Sequence, residues 1–474
     1  MVGRAGRGVA VLLTVLLLVA GAYVAADAYD VAPGVLTLAP VPTPPAPFPT
    51  APGAVTPPDP GPVVAELDPA APLPDAAAVD ALAAALVANP RLGGSTAVRV
   101  VDVLTGEVIA DLGGDLPQVP ASTAKLLTGL AAMTALGAER TLPTTVVQAE
   151  PGRLVLVGGG DMMLAAGAGD PTATVGHAGL ADLAQAVGRA LALSGLTTVS
   201  LSVDDTLFTG PTLHPQWVPS DVAAGYVAPV TALGVDIAKT VPEDEYPPRF
   251  GDPSLQAGRA LAALLAAQGV VVTGSVSRAA APDGGVELAR VESAPVGDIA
   301  RYALRDSDNT IAEVLGRLVA VQRGLPASFE GATAAVLAEV AAQGLDTTGA
   351  TLRDCSGLAA TSALAPRLLT DALVLAADPD RPVLLPVLLD LPVGGWLGTL
   401  SDRFGTGAAQ GLVRAKTGSL PGVTSLAGTV QTVDGRLLAF AVLADATPPG
   451  GQAAPRAAID AMVEALAACG CSTP

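Results

Sequence analysis

The chain of 474 residues is half apolar but only 3% aromatic, and its length calls for more than one hydrophobic core. A formal charge of −19 excludes nucleic acid and anionic lipid as general partners, because both require a basic footprint. Lysine and asparagine are scarce: only Lys125, Lys239, Lys416, Asn89 and Asn309 occur, so each is more informative than usual.

Taken in chain order, Arg4 and Arg7 precede an apolar run from Gly8 to Ala26 and the small-residue pattern Ala26-x-Ala28. Residues 1–28 therefore read as a secretory signal peptide, or as an uncleaved signal anchor, since about 20 apolar residues span a bilayer. Either way the remainder is expected to be exported. Residues 29–73 contain VPTPPAPFPTAPGAVTPPDPGPV, too rich in proline to pack, and read as an extended linker. The folded part is expected to begin near Leu73.

Asp75 can cap a helix over 76–88, and TAVRVVDV and VIADL around the turn at Leu104–Glu107 read as a hairpin. The run STAKLLTGLAAMTAL, ended by Gly137, predicts a helix with Ser122 at its cap or first turn and Lys125 on the same face. From 143 to 286 short strands and turns dominate, which marks an inserted, mostly β domain in a body made of 74–142 and 287–474. Helical patterns cover 296–342. LVRAKTGSL, TSLAGTVQTV and RLLAFAVLADA then read as three strands, the last two joined by Asp434-Gly435, and APRAAIDAMVEALAA as a closing amphipathic helix. Three cysteines in an exported chain favour one disulfide, from Cys355 to Cys469 or Cys471, with free buried thiols as the alternative.

Three short motifs occur in order: Ser122-x-x-Lys125, Ser307-x-Asn309 and Lys416-Thr417-Gly418. Each alone is common. Together they use two of the three lysines and one of the two asparagines, which makes accident a poor explanation. The residue types suit acyl transfer. A serine hydroxyl needs a base to become a nucleophile, and a lysine serves if its pKa falls from about 10.4 towards 7 or 8. Arginine could not, because it does not deprotonate. Ser307 can relay a proton to a leaving group, Asn309 can hold Lys125 and the substrate backbone, and Lys416 with Thr417 can clamp a carboxylate. Gly418 is expected to let a substrate backbone approach, and the N–H groups of Ser122 and Ser419 to form an oxyanion hole.

This triple resembles the signature of penicillin-binding proteins and serine β-lactamases. PASTAKLLT, VGGGDMML, YVAPVTALGVD, RDSDNTIAEVL, LRDCSGLA and RAKTGSLPGV are similar to one branch in particular, the D-alanyl-D-alanine carboxypeptidase/endopeptidase family of class C penicillin-binding proteins, peptidase S13. The resemblance spans about residues 75 to 468. It departs from the usual pattern at Met162 after GGGD, at Gly-Val-Asp in the insert and at Asp-Cys-Ser-Gly.

It implies an α/β, serine β-lactamase-like transpeptidase fold: an antiparallel sheet flanked by helices, plus a helical lobe and the inserted domain. It implies a serine-type D-Ala-D-Ala carboxypeptidase with endopeptidase capacity, acting through an acyl-enzyme on peptidoglycan stem peptides. β-Lactams are then expected as covalent inhibitors, no cofactor or metal as a requirement, and a place outside the cytoplasmic membrane or in the wall. The nearest alternative activities are a serine β-lactamase and a non-catalytic wall-binding protein. The latter should have lost a motif residue, and none is lost. Gly158–Gly160 reads as a tight turn, His177 and His214 as structural, and Asp354 and Ser356 as either site rim or core turn.

Overall fold

The computed structural model describes residues 3–29 (side chains from Leu16 onward), 31–32 and 67–469. It divides into a unit of residues 1–65 and a unit of residues 66–474. In the first, α1 (Gly3–Ala28) covers the expected leader or anchor, and its Leu16, Leu17, Leu18 and Val19 are exposed. Among the described residues no helix is long and apolar enough to cross a membrane. Most of the proline-rich linker lies outside the described residues.

In the second unit the folded chain begins a little earlier than Leu73. Arg436 donates to the carbonyls of Pro69 and Ala71 while its guanidinium forms a bidentate, buried pair with Asp102, both contacts 2.6 Å. Asp75 then caps α2 (Ala76–Val87) by accepting from Ala77 and Ala78 N–H. The hairpin of β1 (Thr96–Asp102) and β2 (Val108–Leu112) follows. A 3-10 turn, Ala121–Ala124, leads into α3 (Lys125–Leu136), which ends at Gly137 with φ 82°.

The next stretch holds β3 (Pro143–Glu150), β4 (Arg153–Gly158), β5 (Asp161–Leu164), α4 (Leu180–Leu193), β6 (Thr198–Asp204), α5 (Pro219–Ala223), β7 (Leu233–Val235), α6 (Pro253–Ala267), β8 (Val271–Val272), β9 (Ser277–Arg278) and β10 (Val286–Glu292). Its main sheet has the order β10-β3-β4-β6-β8, covered by α4 and α6 through a core that includes Leu156, Leu183, Val203 and Leu261. The expected mostly β insert differs in two ways. It carries two long helices, because β4–β6 and β6–β8 pair in parallel and parallel neighbours need a crossover. Its last strand also runs to Glu292, past the expected limit at 286, because β10 pairs antiparallel with β3. Conversely Phe208, Trp217, Val227 and Ile237, from the middle of this stretch, pack into the same core as α3.

The chain returns through α7 (Val296–Arg305), α8 (Asn309–Gln322), α9 (Phe329–Ala342), α10 (Pro366–Ala376) and the short α11 (Leu385–Leu389). It closes with β11 (Val413–Leu420), β12 (Val423–Gln431), β13 (Leu437–Ala444) and α12 (Ala453–Ala468). The central sheet is antiparallel, with order β11-β12-β13-β1-β2. Its period-two alternation serves two cores. Phe440, Val442 and Val100 face α2 and α12, whereas Ala439, Ala441 and Leu443 face the helical lobe of α3, α8, α9 and α10. β11 is an edge strand, so the Lys416-Thr417-Gly418 segment has one unpaired side.

Candidate active site

The turn that carries Ser122 is wedged between β11 and the loop 354–357. Ala121 has φ 47°, a left-handed conformation, and the Pro120 carbonyl accepts from Thr123 Oγ1 and Ser425 Oγ, each at 2.7 Å. Two glycines make this fit possible. A Cβ on Gly418 would lie 2.1 Å from Ser425 Oγ and 2.8 Å from the Pro120 carbonyl oxygen, and one on Gly357 would lie 1.9 Å from the Ala121 carbonyl oxygen. At Gly418 the space that its missing side chain leaves is filled by the protein's own turn.

Lys125 is only 1% exposed, and its Nζ has three neighbours: Ser122 Oγ at 2.8 Å, Asn309 Oδ1 at 2.6 Å and the Ser356 carbonyl at 2.8 Å. The amide of Asn309 is oriented by its Nδ2, which donates to the Tyr226 carbonyl at 2.9 Å. Asn309 Oδ1 and Ser356 O can only accept. In the neutral amine they therefore take both N–H groups, and the lone pair is left facing Ser122 Oγ. Burial lowers the Lys125 pKa to about 8, opposed by the negative charges of Asp354, Glu313 and Asp308.

Ser307 precedes α8 in a left-handed conformation, φ 60°, with Asp308 capping the helix through Ile311 N–H. Its Oγ accepts from Lys416 Nζ at 2.9 Å, and the same ammonium donates to the Thr417 carbonyl at 3.1 Å. Lys416 is fully buried, and burial, then the charge of Lys125, push its pKa well below the ordinary lysine value. Ser122, Lys125 and Asn309 thus form one hydrogen-bonded group, and Ser307 and Lys416 a second.

The loop that supplies the Ser356 carbonyl is held by two buried carboxylates. Glu313 accepts from the N–H groups of Cys355 and Ser356, and Asp354 accepts from Gly357 and Ala359 N–H and from Trp217 Nε1. Burial and the neighbouring Asp354 raise the Glu313 pKa, while the N–H donors oppose the rise. Glu313 was invisible in the sequence, where it reads as an ordinary polar residue of an apolar helix. A signal existed in its spacing, four residues after Asn309 on one helical face. His214 packs edge-on to Phe329 and near Trp217, as a structural residue would.

An open groove of about 1170 Å³ runs across Ser122. It is lined by Tyr226, Tyr246, Arg249 and Tyr302 and also by Thr399, Thr417, Ser419, Gln452 and Arg456. Thr417 Oγ1 pairs with Thr399 Oγ1 at 2.9 Å, and Arg456 Nη2 donates to Ser419 Oγ at 3.0 Å. Neither Thr399 nor Arg456 stood out in the sequence.

The expected bridge from Cys355 to Cys469 is not formed, and both thiols are free. Cys355 is buried in the core on the helical-lobe side of the central sheet, and Cys469 packs against the core on the other side. The sheet stands between them. Cys471 lies outside the described residues.

The family model for the D-Ala-D-Ala carboxypeptidase 3 (S13) family matches residues 78–248 and 238–469. The chain is 40% identical over 408 residues to a carboxypeptidase of Mycobacterium tuberculosis, with 84% of this chain and 86% of the relative covered. It is also 40% identical over 420 residues to carboxypeptidase DacB of Mycolicibacterium smegmatis, covering 87% and 88%. In three dimensions it resembles penicillin binding protein 4 of Haemophilus influenzae with a TM-score of 0.65, at 23% identity, covering 77% of this chain and 94% of that one.

Proposed function

Because the chain belongs to the D-Ala-D-Ala carboxypeptidase 3 (S13) family and is a serine-type D-Ala-D-Ala carboxypeptidase, we propose that Ser122 is its nucleophile and Lys125 the base that activates it. The observation that carries this reading is the donor arithmetic at Lys125. Two neighbours that only accept leave the amine's lone pair aimed at Ser122 Oγ.

In this reading Ser122 Oγ attacks the carbonyl between the two terminal D-alanines while its proton passes to Lys125. The N–H groups of Ser122 and Ser419 receive the oxyanion, a contribution of about 3 to 4 kcal/mol per donor in such sites. The C–N bond breaks, and the D-Ala amine leaves with the proton that Lys125 took from Ser122, delivered through Ser307, whose hydroxyl is backed by Lys416, so that Lys125 is neutral again. Water then attacks the ester and gives a proton to Lys125, which returns it to Ser122 Oγ as the ester C–O bond breaks and the acid leaves. β-Lactams acylate the same oxygen, because their strained amide occupies the position of the scissile bond.

The substrate is the peptidoglycan stem peptide, so the enzyme acts at the wall or in the periplasm. We take residues 1–28 as the segment that directs export. The same apparatus suits a cross-link that contains D-Ala, and endopeptidase action is part of the proposal. Mass spectrometry after incubation with a pentapeptide muropeptide and with a cross-linked dimer tests both: loss of one D-Ala and formation of monomer are expected. Penicillin labelling retained by Ser122→Ala would refute the nucleophile.

A further inference from the structure

Two acceptors on different segments orient Lys125 Nζ, Asn309 Oδ1 and the Ser356 carbonyl, and one stretch of chain stands behind both. It is the strap 209–228, which lies between β6 and β7 and packs into the core of α3 and α8. Towards its end, the Tyr226 carbonyl accepts from Asn309 Nδ2 at 2.9 Å, and Ala228 N–H donates to Thr310 Oγ1 at 2.9 Å. In its middle, Trp217 Nε1 donates to Asp354 Oδ2 at 2.7 Å. The same carboxylate accepts from Gly357 and Ala359 N–H, each at 2.7 Å, so it grips the loop just past Ser356.

The strap is itself tied down. Arg317, fully buried on α8, donates to the Thr209 and Pro211 carbonyls at 3.0 and 2.8 Å, and its guanidinium lies 4.5 Å from the centre of the Phe329 ring. Trp217 meets that ring edge-on at 5.2 Å, and Val230 N–H closes the strap on the Thr212 carbonyl at 2.8 Å. Packing alone would be served by any large apolar ring. The indole adds one donor, and it is spent on a buried carboxylate, where a hydrogen bond to a charged group is stronger than a neutral one.

Resting on the reading of Lys125 as the base, we propose that Trp217 is a positioning residue for acyl transfer: through Asp354 it holds the Ser356 carbonyl against Lys125 Nζ. Tyr226, on the same strap, holds Asn309, so this one segment sets both acceptors that leave the amine's lone pair on Ser122 Oγ. A Ser356 carbonyl that drifts away frees the amine to turn, and proton transfer from Ser122 slows. Binding in the groove is not affected, because Tyr226 belongs to the groove lining and Trp217 does not.

The test removes the N–H and keeps the ring. The chain has two tryptophans, and Trp396 is exposed. In a Trp396→Phe background, replacing tryptophan by benzothienylalanine therefore alters Trp217 alone and puts sulfur in place of its N–H. A concentration series with fluorescent penicillin separates the limiting acylation rate from the half-saturating concentration. Against Trp396→Phe, the analogue should lower the limiting rate about tenfold and leave half-saturation and melting temperature unchanged. Asp354→Asn should cost at least as much, and in that background the analogue should add little, because both act through one contact. Burial lowers the Lys125 pKa and the charge of Asp354 opposes it, so Asp354→Asn should also move the acid limb of acylation to lower pH, whereas the analogue keeps that charge and the limb. An analogue with an unchanged limiting rate, a loss confined to half-saturation, or losses that simply add would make Trp217 a packing residue and overturn the proposal. If Asp354→Asn does not fold, the analogue decides by itself. Undiminished acylation by Lys125→Met is read separately and would overturn the base, and the proposal with it.

Discussion

Glu313 Oε1 accepts the backbone N–H of Ser356 at 2.8 Å, and the carbonyl of that same Ser356 accepts Lys125 Nζ at 2.8 Å. A buried carboxylate on α8 therefore aims one of the two acceptors that orient Lys125, the proposed base. Glu313→Gln keeps the volume but sets an NH2 group against the Cys355 and Ser356 amides, and it removes a negative charge that raises the Lys125 pKa. Acylation by fluorescent penicillin should slow roughly tenfold or more, by the energy of a charge-assisted hydrogen bond. The acid limb of its pH profile should also move to lower pH. A slowed reaction with an unmoved limb would leave Glu313 a purely structural residue.

Lys125 must be neutral to accept a proton. With its pKa near 8, kcat/KM for D-Ala release should rise through an apparent value of about 8. The stability sign follows from the same shift. Between about 8 and the ordinary lysine value of 10.5 the unfolded chain binds the proton and the folded one does not, so folding becomes more favourable as pH rises through that window. Against Lys125→Met, wild type should gain at most about 3 kcal/mol across it, measured by denaturant unfolding. A difference that shrinks with rising pH would contradict the assignment.

Gly418→Ala would place a methyl group 2.1 Å from Ser425 Oγ. The predicted cost is about 1 to 3 kcal/mol of stability, together with slower acylation, because the nucleophile turn must shift. Adding Ser425→Ala should recover part of the melting temperature but not all of it, since the Pro120 carbonyl remains 2.8 Å away. A Gly418→Ala protein with wild-type melting and labelling would refute this packing role.

Cys355 is fully buried, and burial raises its thiol pKa well above the ordinary value. Iodoacetamide should leave it unmodified in the native protein and modify it only in denaturant, as read by peptide mass spectrometry. Recovery of a disulfide-linked peptide containing Cys355 would restore the bridge that the structure does not form.

Much of this protein is set by local pattern. Alternating Phe440, Val442 and Leu438 against Ala439, Ala441 and Leu443 specifies a strand with two buried faces, Asp75 and Gly137 punctuate helices, and three spaced motifs name the side chains proposed to react. What no local pattern contains is a contact between distant segments. Asn309 Oδ1 meets Lys125 across 184 residues and the Ser356 carbonyl meets it across 231. The same distance hid the pairing of β10 with β3, the sheet that separates Cys355 from Cys469, and the role of Glu313. Residue type and period state what a side chain can do; only packing decides which polar groups are taken out of water together. That desolvation lowers the pKa of Lys125 and leaves Lys416 inside while Arg456 faces the groove.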